Sequence, residues 1–299
     1  MSSTDDPASA SSATGAIDYW CNCFLPPMQA KWQAAIARQG IPLKVRKNDD
    51  DSFADGATMV ARMDDIGMDT IILPTCDLAE GEDPLGFEAL AARWDDTEAL
   101  ATAHPGRFAG AWSIDPRTGM DGVRRAVEAL EQPWCVALHI HTHSWDRPLD
   151  HADYYPYYAL CADADVPLVA QVGTSGGRMP SECGRPISVD RPAIYFRSTR
   201  FVLSHTGWPW VDEALAMALK FDNVYLGTAA YPPRHWSASL VDFIGRAGRG
   251  KTMWGTSFPT VGHRHALGQL DELNLGEVAR SELVGGAARR VFTRLGSLR

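Results

Sequence analysis

Leu203-Ser204-His205-Thr206-Gly207 reads as a short apolar strand that ends in a histidine and is closed by a glycine. Other β-branched or apolar runs of similar length lie on either side: Ile17 to Asn22, Thr70 to Pro74, Phe108 to Ile114, Cys135 to His141, Pro167 to Val172, Asn223 to Gly227 and Thr252 to Ser257. With Phe201 to His205 they number eight. The segments between them, such as Gly56 to Met68, Gly119 to Leu130, Tyr154 to Ala164 and Trp210 to Lys220, carry apolar residues at three- and four-residue spacing, which is the period of an amphipathic helix. Strands alternating with helices predict a parallel α/β fold, and eight of them predict a closed (β/α)8 TIM barrel. In such barrels the C-terminal strand ends line the mouth where chemistry sits, so His205 is expected there.

Motifs at four further places resemble one family. Ile17-Asp18-Tyr19-Trp20-Cys21-Asn22, running into Pro26-Pro27, resembles the opening strand Ile-Asp-x-His-x-His of the amidohydrolase-2 family, the group of aminocarboxymuconate-semialdehyde decarboxylase and its relatives. Pro167 to Gly173 resembles its fifth strand, and Met253-Trp254-Gly255-Thr256-Ser257-Phe258-Pro259 its last-strand motif Phe-Gly-Ser-Asp-Tyr-Pro. Glu282 to Phe292, with Gly285-Gly286-Ala287-Ala288-Arg289-Arg290 at its centre, resembles the closing helix. The resemblance covers nearly everything after residue 16. It implies a TIM barrel with a metal at its mouth and hydrolase or decarboxylase (lyase) activity. At the ligand positions, however, Trp20 and Asn22 replace two histidines, Gln171 a third and Ser257 an aspartate, and His205 alone is kept. Tryptophan cannot ligate a metal, and neutral amide or hydroxyl groups are weak donors to zinc. The expectation is therefore no metal at the usual position.

With 299 residues, 45% hydrophobic and 22% charged, the chain can bury a large core, and one barrel of ~250 residues plus a tail accounts for its length. The net charge of -9 argues against a nucleic-acid partner, because phosphate recognition needs clustered Lys and Arg. Residues 1 to 16, rich in Ser, Ala, Thr and Asp, read as a disordered tail, and 17 to 299 as the barrel, without repeat or linker. There is no basic, apolar leader and no run of ~20 apolar residues, so neither a signal peptide nor a membrane span is expected. Six cysteines without an export signal suggest reduced thiols and a cytoplasmic location. Cys21 and Cys23, two apart on one strand, do not suit disulfide geometry.

The run Ala137-Leu138-His139-Ile140-His141-Thr142-His143 carries histidines at alternate positions, hence on one strand face. Two readings remain open. His139, His141 and His205 could form a relocated zinc site, since three imidazoles can make three tetrahedral ligands. Alternatively they are hydrogen-bonded groups of a wet pocket, with His143 facing solvent. Ser257 is a candidate nucleophile with His205 as its base, or a hydrogen-bonding filler. Asp18 is a candidate base, or an anchor for its strand end; alternation predicts Asp18, Trp20 and Asn22 on one face. In the glycine-rich connection from Thr174 to Tyr195, Arg178 and Arg185 are candidates to grip a substrate carboxylate, or are surface charges. That connection and Pro26 to Ser52 are long enough to overhang the mouth. Trp20, Trp112, Trp145, Trp208, Trp236 and Trp254 sit at or past strand ends, where an aromatic pocket wall or plain core packing would use them.

Three functions follow. The first is a metal-independent enzyme that hydrolyses a lactone or ester, or cleaves a C–C bond, of a small aromatic or carboxylate-bearing molecule. His205, His141 and His139 would move protons, with Asp18 and Ser257 as further catalytic groups and Trp20, Asn22, Gln171, Arg178 and Arg185 against the substrate. The second is a metal-dependent decarboxylase or hydrolase with zinc at His139, His141 and His205. The third is a catalytically dead ligand-binding barrel. The first is preferred, because a binding protein has little use for several imidazoles at one mouth. The family resemblance also implies a homodimer.

Overall fold

A computed structural model describes residues 15–40, 53–75 and 91–298. Residues 1–14 of the expected tail, part of the Pro26 to Ser52 connection, and Cys76 lie outside the described residues. Eight parallel strands follow one another in sequence order around a curled sheet: β1 (Ala16–Asp18), β2 (Met68–Pro74), β3 (Phe108–Ser113), β4 (Cys135–His141), β5 (Leu168–Gln171), β6 (Phe201–Ser204), β7 (Val224–Gly227) and β8 (Thr252–Met253). The flanking helices include α1 (Met28–Gln39), α2 (Gly56–Asp65), α3 (Trp94–Ala103), α4 (Gly119–Leu130), α5 (Thr142–Trp145), α6 (Tyr155–Asp163), α7 (Asp190–Tyr195), α8 (Val211–Lys220), α9 (Ala238–Gly245), α10 (His263–Glu272), α11 (Glu277–Ser281) and α12 (Ala287–Val291). This is the TIM-barrel arrangement that the strand and helix periods predict. The β5–β6 connection is not formless, since it contains two short 3-10 turns and α7.

Period-2 alternation sorts each strand between two apolar clusters. Ala137, Val169 and Val202 point into the barrel, whereas Leu138, Ile140, Leu168, Phe201 and Leu203 pack outward under the helices. On the same parity His139, His141, Gln171 and Ser204 point inward. At the N-terminal end of the barrel Ala287, Ala288, Val291 and Phe292 continue the interior cluster and plug it. Arg294 secures that plug, donating to the carbonyls of Leu130 (2.7 Å), Cys135 (3.1 Å) and Ala164 (3.3 Å). Arg200 donates to the Val291 carbonyl at 3.0 Å.

One expectation about β1 fails. Ile17 and Tyr19 face the interior, so Asp18 lies on the opposite parity. The strand stops at Asp18 and the chain bends at Tyr19, which lets Trp20 join the interior as well. Beyond that bend the seam between β1 and β8 is held by Tyr19 N–H to Trp254 O (3.3 Å), Ser257 N–H to Trp20 O (2.8 Å) and Asn22 N–H to Phe258 O (3.1 Å).

Candidate functional site

At the end of β6 the backbone turns sharply, with His205 at φ 70° and Thr206 at φ 58°. Ser257, after β8, has φ 52°. Left-handed backbone at non-glycine residues costs about 1–3 kcal/mol each and persists where surrounding contacts over-determine it, as at active sites. Here the turns bring two side chains together: His205 Nε2 lies 3.3 Å from Ser257 Oγ. On its other side His205 Nδ1 is 2.8 Å from Ser204 Oγ, which in turn is 2.7 Å from the Tyr19 hydroxyl. The Trp20 ring stands edge-on to His205 and to His139, with centroids 5.1 and 5.4 Å away. His205 is buried, and burial, then the neighbouring His143, pushes its pKa down to about 3. It is therefore neutral at neutral pH.

The three β4 histidines take separate places. His139 Nε2 lies 2.7 Å from the Thr75 carbonyl. A carbonyl only accepts, so Nε2 carries the hydrogen and Nδ1 is bare; that Nδ1 is buried with no partner among the described residues. Burial pushes the His139 pKa down to about 4, against the opposing effect of the Thr75 bond. His141 is half-buried at the strand end, its Nδ1 2.6 Å from Ser144 Oγ. Its pKa is well below the ordinary value, mainly through burial, then through His143, His139 and His205. His143 does not face solvent as expected: it is 1% exposed and its Nε2–H donates to Gly173 O at 2.9 Å. The helical turn α5 begins directly after His141 and swings His143 inward beneath Gly184, where an added Cβ would stand 2.4 Å from Nε2.

Asp18 is an anchor and not a base at the mouth. Fully buried, its carboxylate accepts from Trp20 N–H (3.1 Å), Thr256 N–H (3.0 Å), Thr256 Oγ1–H (2.5 Å) and His263 Nε2 (2.9 Å), and so ties β1 to the segment after β8 and to α10. Asp18, Cys21 and His263 form the one group of three potential metal ligands, among the described residues, whose atoms lie within 4.8 Å of one another. The carboxylate is already saturated by its donors. Cys21 is a buried thiol pushed well above its ordinary pKa by burial and then by Asp18. Among the described residues, His139, His141 and His205 do not converge in this way. Cys21 and Cys23 are free thiols, as expected.

Of the candidates for substrate contact, Trp20 and Gln171 are buried at the mouth, 5% and 7% exposed. Asn22 is partly held by the seam, its Nδ2 donating to Ser257 O at 3.3 Å. Arg185 is withdrawn from that role: it pairs with Glu213 and Glu182 and stacks 5.6 Å from the Trp210 ring. Two carboxylates already compensate its charge. Arg178 is exposed, with its guanidinium beside Gly40 at the end of α1. Among the tryptophans Trp254 is core at 1% exposure and Trp208 is 52% exposed. Tyr19, Ser204, Thr256 and His263 were not singled out from sequence. For Tyr19 a usable signal exists in the glycines that clear space for it: a Cβ on Gly227 would lie 2.0 Å from its hydroxyl, and one on Gly255 2.6 Å from its ring.

Residues 73–294, about three quarters of the chain, match the family model described as amidohydrolase. No curated protein matches. Among solved structures, an uncharacterised TIM-barrel protein of Bordetella bronchiseptica is similar over 94% of this chain and 99% of its own (19% identity, TM-score 0.74). A 5-carboxyvanillate decarboxylase of Novosphingobium aromaticivorans, complexed with manganese and 4-hydroxy-3-methoxy-5-nitrobenzoic acid, is similar over 98% and 100% (16% identity, TM-score 0.65). A 2,6-dihydroxybenzoate decarboxylase from Rhizobium is similar over 94% and 99% (14% identity, TM-score 0.63). At these identities the likeness is one of fold.

Proposed function

Because the chain belongs to the amidohydrolase family, we propose that it is an enzyme that works at the barrel mouth without a metal, with His205 as its chemical centre. The substrate is a small lactone or ester; His205 offers a hydrogen bond to the developing oxyanion and His141 carries the proton transfer. The observation that carries this reading is the His205–Ser257 pair, two polar side chains 3.3 Å apart on left-handed backbone beside a tryptophan wall. Neutral imidazoles and hydroxyls in a buried site suit hydrogen-bond stabilisation of a developing oxyanion. Gln171 and Asn22 supply amides for orienting the substrate.

A divalent ion is what the family and the manganese-bearing neighbour suggest, and the residues present do not fit one. Such a site needs several oxygen or nitrogen lone pairs in one sphere, usually with carboxylate for manganese. Here the Trp20 ring stands against both His139 and His205, His139 has committed Nε2 to a carbonyl, and Asp18 is turned into the seam. Cleavage of a C–C bond, as in decarboxylation, is the second reading, favoured by the decarboxylases among the similar folds. A cytoplasmic location and a homodimer belong to the same proposal; among the described residues no helix is long and apolar enough to cross a membrane.

The test is a panel of aliphatic and aromatic lactones, aryl esters and hydroxylated benzoates, assayed after chelator washing and again with added manganese. Turnover of a lactone or ester that chelation leaves unchanged supports the proposal. Turnover of a benzoate only when manganese is present contradicts it.

A further inference from the structure

The geometry points to Tyr19 and Ser204 as positioning residues that hold His205 in its Nε2–H tautomer, so that the mouth is offered a hydrogen-bond donor and no imidazole lone pair. This rests on the reading of His205 as the chemical centre and adds which way its protons run.

One buried hydroxyl hydrogen, that of Tyr19, has a single place to go. The Tyr19 oxygen is deep in the barrel, and a Cβ on Gly227 would lie 2.0 Å from it, so no water fits on that side. Its partners among the described residues are Ser204 Oγ at 2.7 Å and the backbone N–H groups of Ala229, at 3.4 Å, and His205, which can only donate. A buried hydroxyl that donates to nothing loses the hydrogen bond that water gave it and is rare in folded proteins. Tyr19 therefore donates to Ser204. The single hydrogen of Ser204 is then directed to its other neighbour, His205 Nδ1, at 2.8 Å. A neutral imidazole whose Nδ1 accepts carries its hydrogen on Nε2. Nε2–H faces Ser257 Oγ at 3.3 Å, and the Ser257 hydrogen is left to point into the mouth. The reverse polarity would leave the Tyr19 hydrogen with no acceptor.

Two consequences separate this from the sequence reading. Ser257 accepts from His205 in the resting enzyme and is not activated by it, so the pair is better suited to holding an oxyanion between two donors than to a serine nucleophile. In addition, a nitrogen that bears hydrogen cannot ligate an ion.

The experiment is a long-range ¹H–¹⁵N correlation spectrum of histidine-labelled, chelator-washed full chain at neutral pH, with His205 assigned by the signals lost in His205→Gln. The expected spectrum has Nδ1 of His205 in the unprotonated range and Nε2 in the protonated range. An Nδ1–H pattern, or two averaged nitrogens, would overturn the inference without any variant. In Tyr19→Phe both nitrogens should move toward the averaged position; a folded variant with unchanged shifts would remove Tyr19 from the relay. Should that variant not fold, Ser204→Ala poses the same question at the next link. Added Mn²⁺ should leave the His205 signals sharp, and selective broadening there would contradict the missing lone pair. Failure of the parent reading is seen elsewhere, as full turnover by His205→Gln.

Discussion

At the scale of single residues, the molecule separates two polar groups that the sequence pattern puts in one class. Asp18 and His205 both stand at strand ends, yet Asp18 meets four donors and His205 meets two hydroxyls. Asp18→Ala should thus destabilise the fold, by about 3 kcal/mol or more, since it strips a charged acceptor from several buried donors at once. Urea unfolding checks this, and a loss below about 1 kcal/mol would mean that the seam does not depend on it. His205→Asn should keep its urea midpoint close to wild type while turnover on an active panel substrate falls at least ~10²-fold, the lower figure for loss of one oxyanion-holding donor. That His205 faces the mouth was legible because its strand is regular up to Ser204. Asp18 was misplaced because alternation was carried through Asn22, whereas the strand ends at Asp18 and the bend at Tyr19 resets which side chains face inward. His263 could not be paired with Asp18 from sequence, since the two are 245 residues apart and meet only through barrel closure.

Among the elements, β4 was readable end to end, Cys135–His141, because an apolar run, Cys135 to Leu138, passes into strict alternation of His139, Ile140 and His141. β8 was not: the expected strand to Ser257 stops at Met253, where the chain leaves the ladder to form the seam with Tyr19, Trp20 and Asn22. Such a departure is decided by a tertiary partner and leaves no periodic trace. The C-terminal plug is the other element with a specific dependence. Arg294→Met keeps much of the side chain's bulk but leaves the carbonyls of Leu130, Cys135 and Ala164 without their donor. A cost of about 1–3 kcal/mol is expected, with faster amide exchange across α12 than across β4. Uniform exchange rates in wild type and variant would show that the plug does not rely on this arginine.

For the whole molecule, the cluster of neutral imidazoles sets the acid limit of stability. Burial pushes His139 to about 4 and His205 to about 3, and lowers His141 and His143 as well. An unfolded chain has histidines near ~6.5, so between there and about 4 the unfolded state binds more protons. The stabilisation is complete above ~6.5 and is lost as the pH falls toward the folded values, at about 1.4 kcal/mol per pH unit for each proton of difference. Urea midpoints should therefore drop between pH 7 and 5, and drop less steeply in His139→Gln; equal slopes would deny His139 its part. These same groups bear on the proposed metal-free chemistry, because in that reading the neutral imidazoles around His205 form no ligand sphere for an ion. The most direct measurement is the metal content of protein that has been chelator-washed, incubated with excess manganese or zinc and desalted. Far less than one ion per chain is expected. One tightly held ion per chain that disappears in His205→Asn would contradict the metal-free reading.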